Sequence, residues 1–201
     1  MIAVIDYGAG NLLSVEKAFR YLGYDCAVTD NAYIIKEATH VVLPGVGSFG
    51  DCCALIREKN LYGVIEEVVA AGTPFLGICL GMQLLFDKSE ESPDAKGLGV
   101  FRGTIKRLPE IKGLKIPHMG WNTINCRGKL FRNLESSPYV YFVHSYYLDA
   151  CDKTIVSATA DYGTSIDAAV ECNNVFGVQF HPEKSGEAGL LMLKNFAGGD
   201  A

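Results

Sequence analysis

Four short apolar runs, IAVID (Ile2 to Asp6), YDCAVT (Tyr24 to Thr29), HVVLP (His40 to Pro44) and TPFLGIC (Thr73 to Cys79), are separated from one another by stretches with helical spacing. A run this short and this continuously apolar has no polar face to give to water, so both of its faces must be covered. Alternation with amphipathic segments then predicts parallel strands joined by crossover helices, an α/β architecture. Helices are expected near Ser14 to Leu22, closed by Gly23, over Asn31 to Ala38, and from about Gly50 to Ala71.

Beyond Phe86 the texture changes. GVFRGTIKRL, WNTINC, YVYFVHSYYL and TIVSATA read as shorter strands, and SIDAAVEC and VFGVQF flank Asn173 and Asn174 as a hairpin. The final GEAGLLMLKNF has helical spacing. With no linker and no repeat, the expectation is one domain over residues 1–201: an open, mostly parallel sheet with helices on both faces and an antiparallel extension.

Composition excludes several function classes. A net charge of −5 and a pI near 5.4, without a basic block, disfavour a nucleic-acid surface. MIAVIDYG has no cationic start and meets Asp6 at once, so no signal peptide is expected, and no apolar run is long enough to span a membrane. The seven cysteines are an odd count without paired metal-type spacing, which suggests reduced thiols in a cytoplasmic setting and no metal site.

One cysteine stands apart by context. In Gly77-Ile78-Cys79-Leu80-Gly81 a thiol sits between glycines where a strand gives way to a helix, the pattern of a nucleophile elbow. Glycines are needed there because side chains two positions from the centre collide across the turn. The helix start offers free N–H groups to a developing anion. The alternative is a space-filling cysteine between incidental glycines. A second signal lies in VFGVQFHPEKS, where His181 and Glu183 are spaced so that a carboxylate can orient an imidazole. Of the four histidines, His40 opens a buried strand, His118 and His144 could line a cleft, and His181 alone brings its own carboxylate.

GVGSFG, residues 45–50, satisfies G-x-G-x-x-G literally, but the acidic residue expected at the end of a following strand is absent: Ala70 falls in an apparent helix. A dinucleotide site is therefore not expected. The loop leaves the C-terminal end of a strand beside Cys79, so N–H groups near Val46 and Gly47 could pair with that of Leu80 as an oxyanion hole.

GICLGMQ and HPE resemble the triad class of glutamine amidotransferases. With DYGAGNLLS, PGVGSFG, IPHMGWN, YFVHSYY and GVQFHPEKS in the same order, the likeness extends from about Ile2 to Leu193 and is strongest to the branch of that family serving histidine biosynthesis. The resemblance implies a flavodoxin-like sheet, no cofactor, and glutamine as substrate. It implies Cys79 as nucleophile, His181 as base and acid, Glu183 as its orienting group, and Gly47 and Leu80 as oxyanion donors. Gln83 and Glu91, with the backbone around His144, Ser145 and Tyr146, would hold glutamine.

Ammonia set free in water is protonated and loses its nucleophilicity, so the acceptor site must be sealed to the glutaminase site. The resemblance places it on a second chain, a (β/α)₈ cyclase acting on a phosphoribulosyl-formimino aminoimidazole carboxamide ribotide, in a heterodimer. Asn11, Met119, Trp121, Asn122 and Lys184 would face it. Many relatives in the wider class have PGG where this chain has Val46; a β-branched residue resists the peptide orientation that glycine permits. The oxyanion hole is thus expected to be incomplete in the lone chain. Two other readings stay open: a stand-alone cysteine hydrolase and a non-catalytic regulatory module.

Overall fold

The computed structural model describes residues 1–198; the last three of the residues assigned to one unit lie outside it. In chain order it contains β1 (Ile2–Ile5), α1 (Leu12–Tyr21), β2 (Cys26–Thr29), α2 (Ala32–Lys36), β3 (His40–Gly45), α3 (Phe49–Glu58), α4 (Tyr62–Ala70), β4 (Phe75–Cys79), α5 (Leu80–Gln83) and β5 (Phe86–Ser89). There follow β6 (Phe101–Arg107), β7 (His118–Thr123), β8 (Asn125–Cys126), β9 (Tyr139–His144), β10 (Tyr146–Ala150), β11 (Val156–Asp161), β12 (Ser165–Cys172), β13 (Val175–Val178) and α6 (Gly186–Phe196).

The large sheet runs β2-β1-β3-β4-β13-β12-β10-β6-β5, with β11 paired to β12 and β8 at its edge. Strands β2, β1, β3, β4 and β13 are mutually parallel, and β12, β10 and β6 follow in antiparallel steps. This is the parallel sheet with antiparallel extension expected from the apolar runs. Period-two alternation sorts their side chains into two cores. Ala3, Ile5, Leu43 and Phe75 pack with Phe49, Ile56 and Ile65 on one face, while Val4, Val42, Leu76 and Ile78 pack with Phe19, Leu193 and Phe196 on the other.

Helix ends follow their local chemistry. Gly23 closes α1 at φ 86°, Asn31 caps α2 by accepting from the Tyr33 and Ile34 N–H groups, and Ser48 caps α3 through Asp51 N. Three features differ from the sequence expectation. The Gly50–Ala71 helix is two helices, α3 and α4, because Asn60 turns left-handed at φ 57°. YVYFVHSYYL is two strands: β9 pairs with β7 in a separate two-stranded sheet, and after Ser145 β10 enters the large sheet. Finally, β5 pairs in parallel with β6, although FDKS has no strand pattern of its own.

Candidate active site

Strands β3 and β4 pair in register through Gly45↔Cys79, so the PGVG loop and the cysteine leave the sheet together at its carboxyl end. Cys79 has φ 56° and ψ −112°, a strained backbone that the surroundings must hold. The two glycines allow it. A Cβ on Gly77 would lie 2.7 Å from the Gly81 oxygen and the Met82 nitrogen, and one on Gly81 would enter the Leu43 carbonyl of β3. The helix that follows is a single turn, α5, so no long macrodipole stands behind the sulfur, and the Cys79 side chain makes no capping bond to it.

The segment beyond β13 brings the histidine back to this corner. His181 N donates to Tyr141 O at 2.9 Å, and Ser185 Oγ donates to His181 O at 2.7 Å, pinning it against β9. His181 Nδ1 lies 2.9 Å from Glu183 Oε1 and both side chains are buried; this bond engages Nδ1 and leaves Nε2 for the cavity. Burial opposes charge on the ring, but the Cys79 sulfur and the Glu183 carboxylate outweigh it and raise His181 to about 9. The Cys79 sulfur also lies 3.8 Å from Val143 O and accepts from Gln179 Nε2 at 3.7 Å.

A cavity of about 310 Å³ opens over this corner, lined by Val46, Gly47, Cys79, Leu80, Gln83, Glu91, Val143, His144, Ser145, Tyr146, His181 and Lys184. The structure therefore brings together every residue expected to touch glutamine, with Glu183 behind His181. Lys184, expected at a partner surface, also lines the cavity. Glu91 Oε2 accepts from Phe49 N at 2.7 Å, which ties the cavity wall to the start of α3. Another groove of about 330 Å³ runs past Arg127 and Lys153, but Lys153 is paired with Asp149 and Asp167, and Arg127 donates to Val156 O.

Beside the cavity, β7 and β9 pair Met119 with Val143 and Trp121 with Tyr141. Met119 (62% exposed), Trp121 (55%) and Tyr139 (63%) form an apolar strip on one face of this small sheet. Tyr139 and Tyr141 escaped the sequence reading, although the alternation in YVYFVH would have placed them with Val143. Asn122, by contrast, turns back and donates to Asp161 O at 2.8 Å. Asn11 stands at the start of α1 without a side-chain capping bond.

The opposite face of the small sheet holds a buried histidine pair. His118 Nδ1 lies 3.0 Å from His144 Nε2, and His144 Nδ1 lies 2.9 Å from Tyr146 O. A carbonyl only accepts, so His144 Nδ1 carries the proton and its Nε2 accepts from His118; both rings are neutral. Burial lowers His118 to about 4 and, more strongly, His144 to about 3. His40 is the structural histidine expected, set edge-on to Phe196.

The sign of the pH effect follows. Two histidines lowered below the unfolded value of about 6.5 stabilise the fold fully above that pH and lose their contribution as pH falls towards 4 and 3. His181, raised, contributes below about 6.5 and loses its contribution as pH rises through about 9. Urea unfolding should therefore show stability falling below pH 6.5 by up to roughly 2–3 kcal/mol per pH unit. His118→Gln should flatten that acid limb; an unchanged slope would refute the assignment.

The family profile described as "Glutamine amidotransferase class-I" matches residues 3–198. The imidazole glycerol phosphate synthase subunit HisH of Moorella thermoacetica is 50% identical over 197 residues, covering 97% of this chain and 93% of that protein. Those of Bacillus mycoides and of Caldanaerobacter subterraneus subsp. tengcongensis are each 48% identical, covering 98% of this chain and 94% and 97% of the respective relatives. Among solved structures, a glutamine amidotransferase aligns with a TM-score of 0.77 at 18% identity, covering 98% of this chain and 100% of that one. PurLQS from Thermotoga maritima aligns with a TM-score of 0.76 at 21% identity, covering 98% and 97%. At such identities the two structures speak for the fold alone.

Proposed function

The chain belongs to the class-I glutamine amidotransferase family, and from that premise we propose that it hydrolyses glutamine at Cys79 and passes the ammonia to a cyclase partner. It is the glutamine amidotransferase subunit of imidazole glycerol phosphate synthase, in histidine biosynthesis. The observation that carries the site assignment is the convergence, in one amino-acid-sized cavity, of a strained cysteine, a histidine held by a buried carboxylate, and the PGVG loop.

In this mechanism Cys79 attacks the side-chain amide of glutamine, and its proton resides on His181, whose charged form Glu183 stabilises. The tetrahedral oxyanion is met by the Gly47 and Leu80 N–H groups. His181 then gives its proton to the departing ammonia, and water, deprotonated by the same ring, releases glutamate from the thioester. Gln83 and Glu91 hold the substrate's polar end, with the backbone of His144, Ser145 and Tyr146 opposite.

The Val46 carbonyl accepts from the Cys52 thiol at 3.5 Å, which holds the Val46–Gly47 peptide in one orientation. Together with the β-branched Val46, this supports a hole completed only when acceptor ligand binds the partner. The lone subunit then hydrolyses glutamine more slowly than the ligand-bound complex.

The partner is a (β/α)₈ cyclase in a heterodimer, and its products are imidazole glycerol phosphate and aminoimidazole carboxamide ribotide. The apolar strip beside the cavity mouth supports docking there, with Asn11, Met119, Trp121, Asn122 and Lys184 at the contact. Trp121→Ala should weaken association with the cyclase by about 2 kcal/mol or more in titration calorimetry; unchanged affinity would move the interface elsewhere. The setting is cytoplasmic; among the described residues no helix is long and apolar enough to cross a membrane.

Labelling with a glutamine-analogue electrophile tests the function directly. Modification confined to Cys79 and blocked by glutamine is expected. Ester turnover without glutamine protection would favour a stand-alone hydrolase, and no labelling even with the cyclase and its ligand present would favour a non-catalytic module.

A further inference from the structure

We infer that Gln179 is a positioning residue that orients the nucleophile and the substrate-holding Gln83 as one unit, an inference that rests on the glutaminase reading above. Gln179 is fully buried, just beyond β13, and its backbone N–H is fixed to Ala168 O at 2.8 Å. Its side-chain amide has a different partner at each end. Oε1 accepts from Gln83 Nε2 at 2.9 Å, and Nε2 donates to Cys79 Sγ at 3.7 Å.

The two partners determine which way the amide faces. Turned over, Gln179 would set its oxygen against the sulfur lone pairs and its NH₂ against the NH₂ of Gln83. Gln83 is oriented in turn, because its second N–H goes to Tyr146 O at 3.0 Å. With both N–H groups engaged, the Gln83 carbonyl oxygen is left to the cavity, where it accepts a hydrogen bond from the substrate. The same Tyr146 oxygen accepts from His144 Nδ1, and His144 Nε2 accepts from His118, so the line is anchored at its far end by the neutral histidine pair.

The hydrogen bond to sulfur has a direction that matters for the chemistry. A donor aimed at sulfur interacts more strongly as negative charge builds there, since a hydrogen bond to an ion is roughly twice as strong as a neutral one. Gln179 thus holds the thiolate in place for attack, and holds Gln83 in the one orientation that presents an acceptor to glutamine.

Two substitutions separate these tasks in the complex with the cyclase. Gln179→Glu keeps an acceptor for Gln83 but sets a carboxylate against the sulfur. Its kcat, and the rate of Cys79 alkylation by iodoacetamide at pH 7, should fall about tenfold or more while KM stays within about threefold. Gln179→Leu removes both bonds, so KM should rise about fivefold or more in addition. The split between the variants is the signature, since a purely structural role would lower both alike, in step with thermal stability. Should the leucine variant fail to fold, the isosteric glutamate variant carries the test. A glutamate variant that retains kcat and alkylation rate within about twofold of the parent overturns the inference. Alkylation needs no glutamine, so this arm reads the Gln179–Cys79 bond even where glutaminase activity is absent, and absent activity in the parent complex would instead sink the glutaminase assignment.

Discussion

Cys79→Ala should abolish glutamine-driven synthesis by the complex, lowering glutamine hydrolysis roughly 10⁴-fold or more, while synthesis from added ammonia persists. The expectation follows from the division of labour in the proposed mechanism. Without sulfur no thioester forms, and the surrounding donors can only polarise the amide for direct attack by water. What survives is the contribution of binding and the oxyanion groups, which in triad hydrolases is far smaller than that of the nucleophile and base acting together. The alanine adds no bulk at a position that is already strained at φ 56°, so the fold and the docking face should be preserved. Steady-state assays with glutamine and with ammonium salts, on the same preparation, check this. A variant that keeps glutamine hydrolysis within tenfold of the parent would remove Cys79 from the chemistry; one that no longer copurifies with the cyclase would have lost the interface or the fold.

The second large effect is on stability. Gly81→Ala should cost at least about 3 kcal/mol, since the new methyl group would have to occupy the Leu43 carbonyl in the middle of the parallel sheet. Neither side can yield: Gly81 is held by the elbow, and Leu43 by its pairing with Gly77 on β4. For a chain of this size such a loss lowers the melting temperature by roughly 6–12 °C, measurable by circular dichroism. Gly63→Ala is the control. Gly63 lies within α4 with nothing near the site of a Cβ, so alanine there should leave the melting temperature unchanged or raise it, through helix propensity. Equal melting temperatures for the two variants would refute the close-approach account of the elbow.

Much of the candidate site was legible in the residues, for a definable reason. The elbow is a local device: the glycines, the cysteine and the turn lie within five consecutive residues, and the clashes that require glycine occur inside that stretch and against its neighbouring strand. His181 and Glu183 are likewise close in sequence and bond to each other directly. The histidine pair was not legible as a pair. His118 and His144 are brought opposite each other only by the pairing of β7 with β9, and nothing local distinguishes a histidine that will face a cavity from one that will donate to its neighbour. Gln179 was hidden in the same way, inside an apolar run whose alternation does not say that a buried amide will have a sulfur at one end and a second amide at the other.

The fold divides along similar lines. The parallel strands were predictable because continuous apolar runs carry their own instruction to be covered on both faces, and Gly23, Asn31 and Ser48 mark helix ends by chemistry confined to a turn. The break at Asn60 had a local signal, a residue that tolerates the left-handed region, within a pattern that otherwise continues. The division at Ser145 had none: YVYFVHSYYL alternates as one strand would, and only the competing partners, β7 for its first half and β6 for its second, separate it into two sheets. What the amino-acid sequence determined by itself is therefore what short-range sterics and burial decide: the buried strands, the caps, the cysteine corner and the histidine–carboxylate step. What only the tertiary structure decided is which distant groups meet. That depends on long-range pairing, whose energy is shared among many contacts and so leaves no mark on any single stretch of chain.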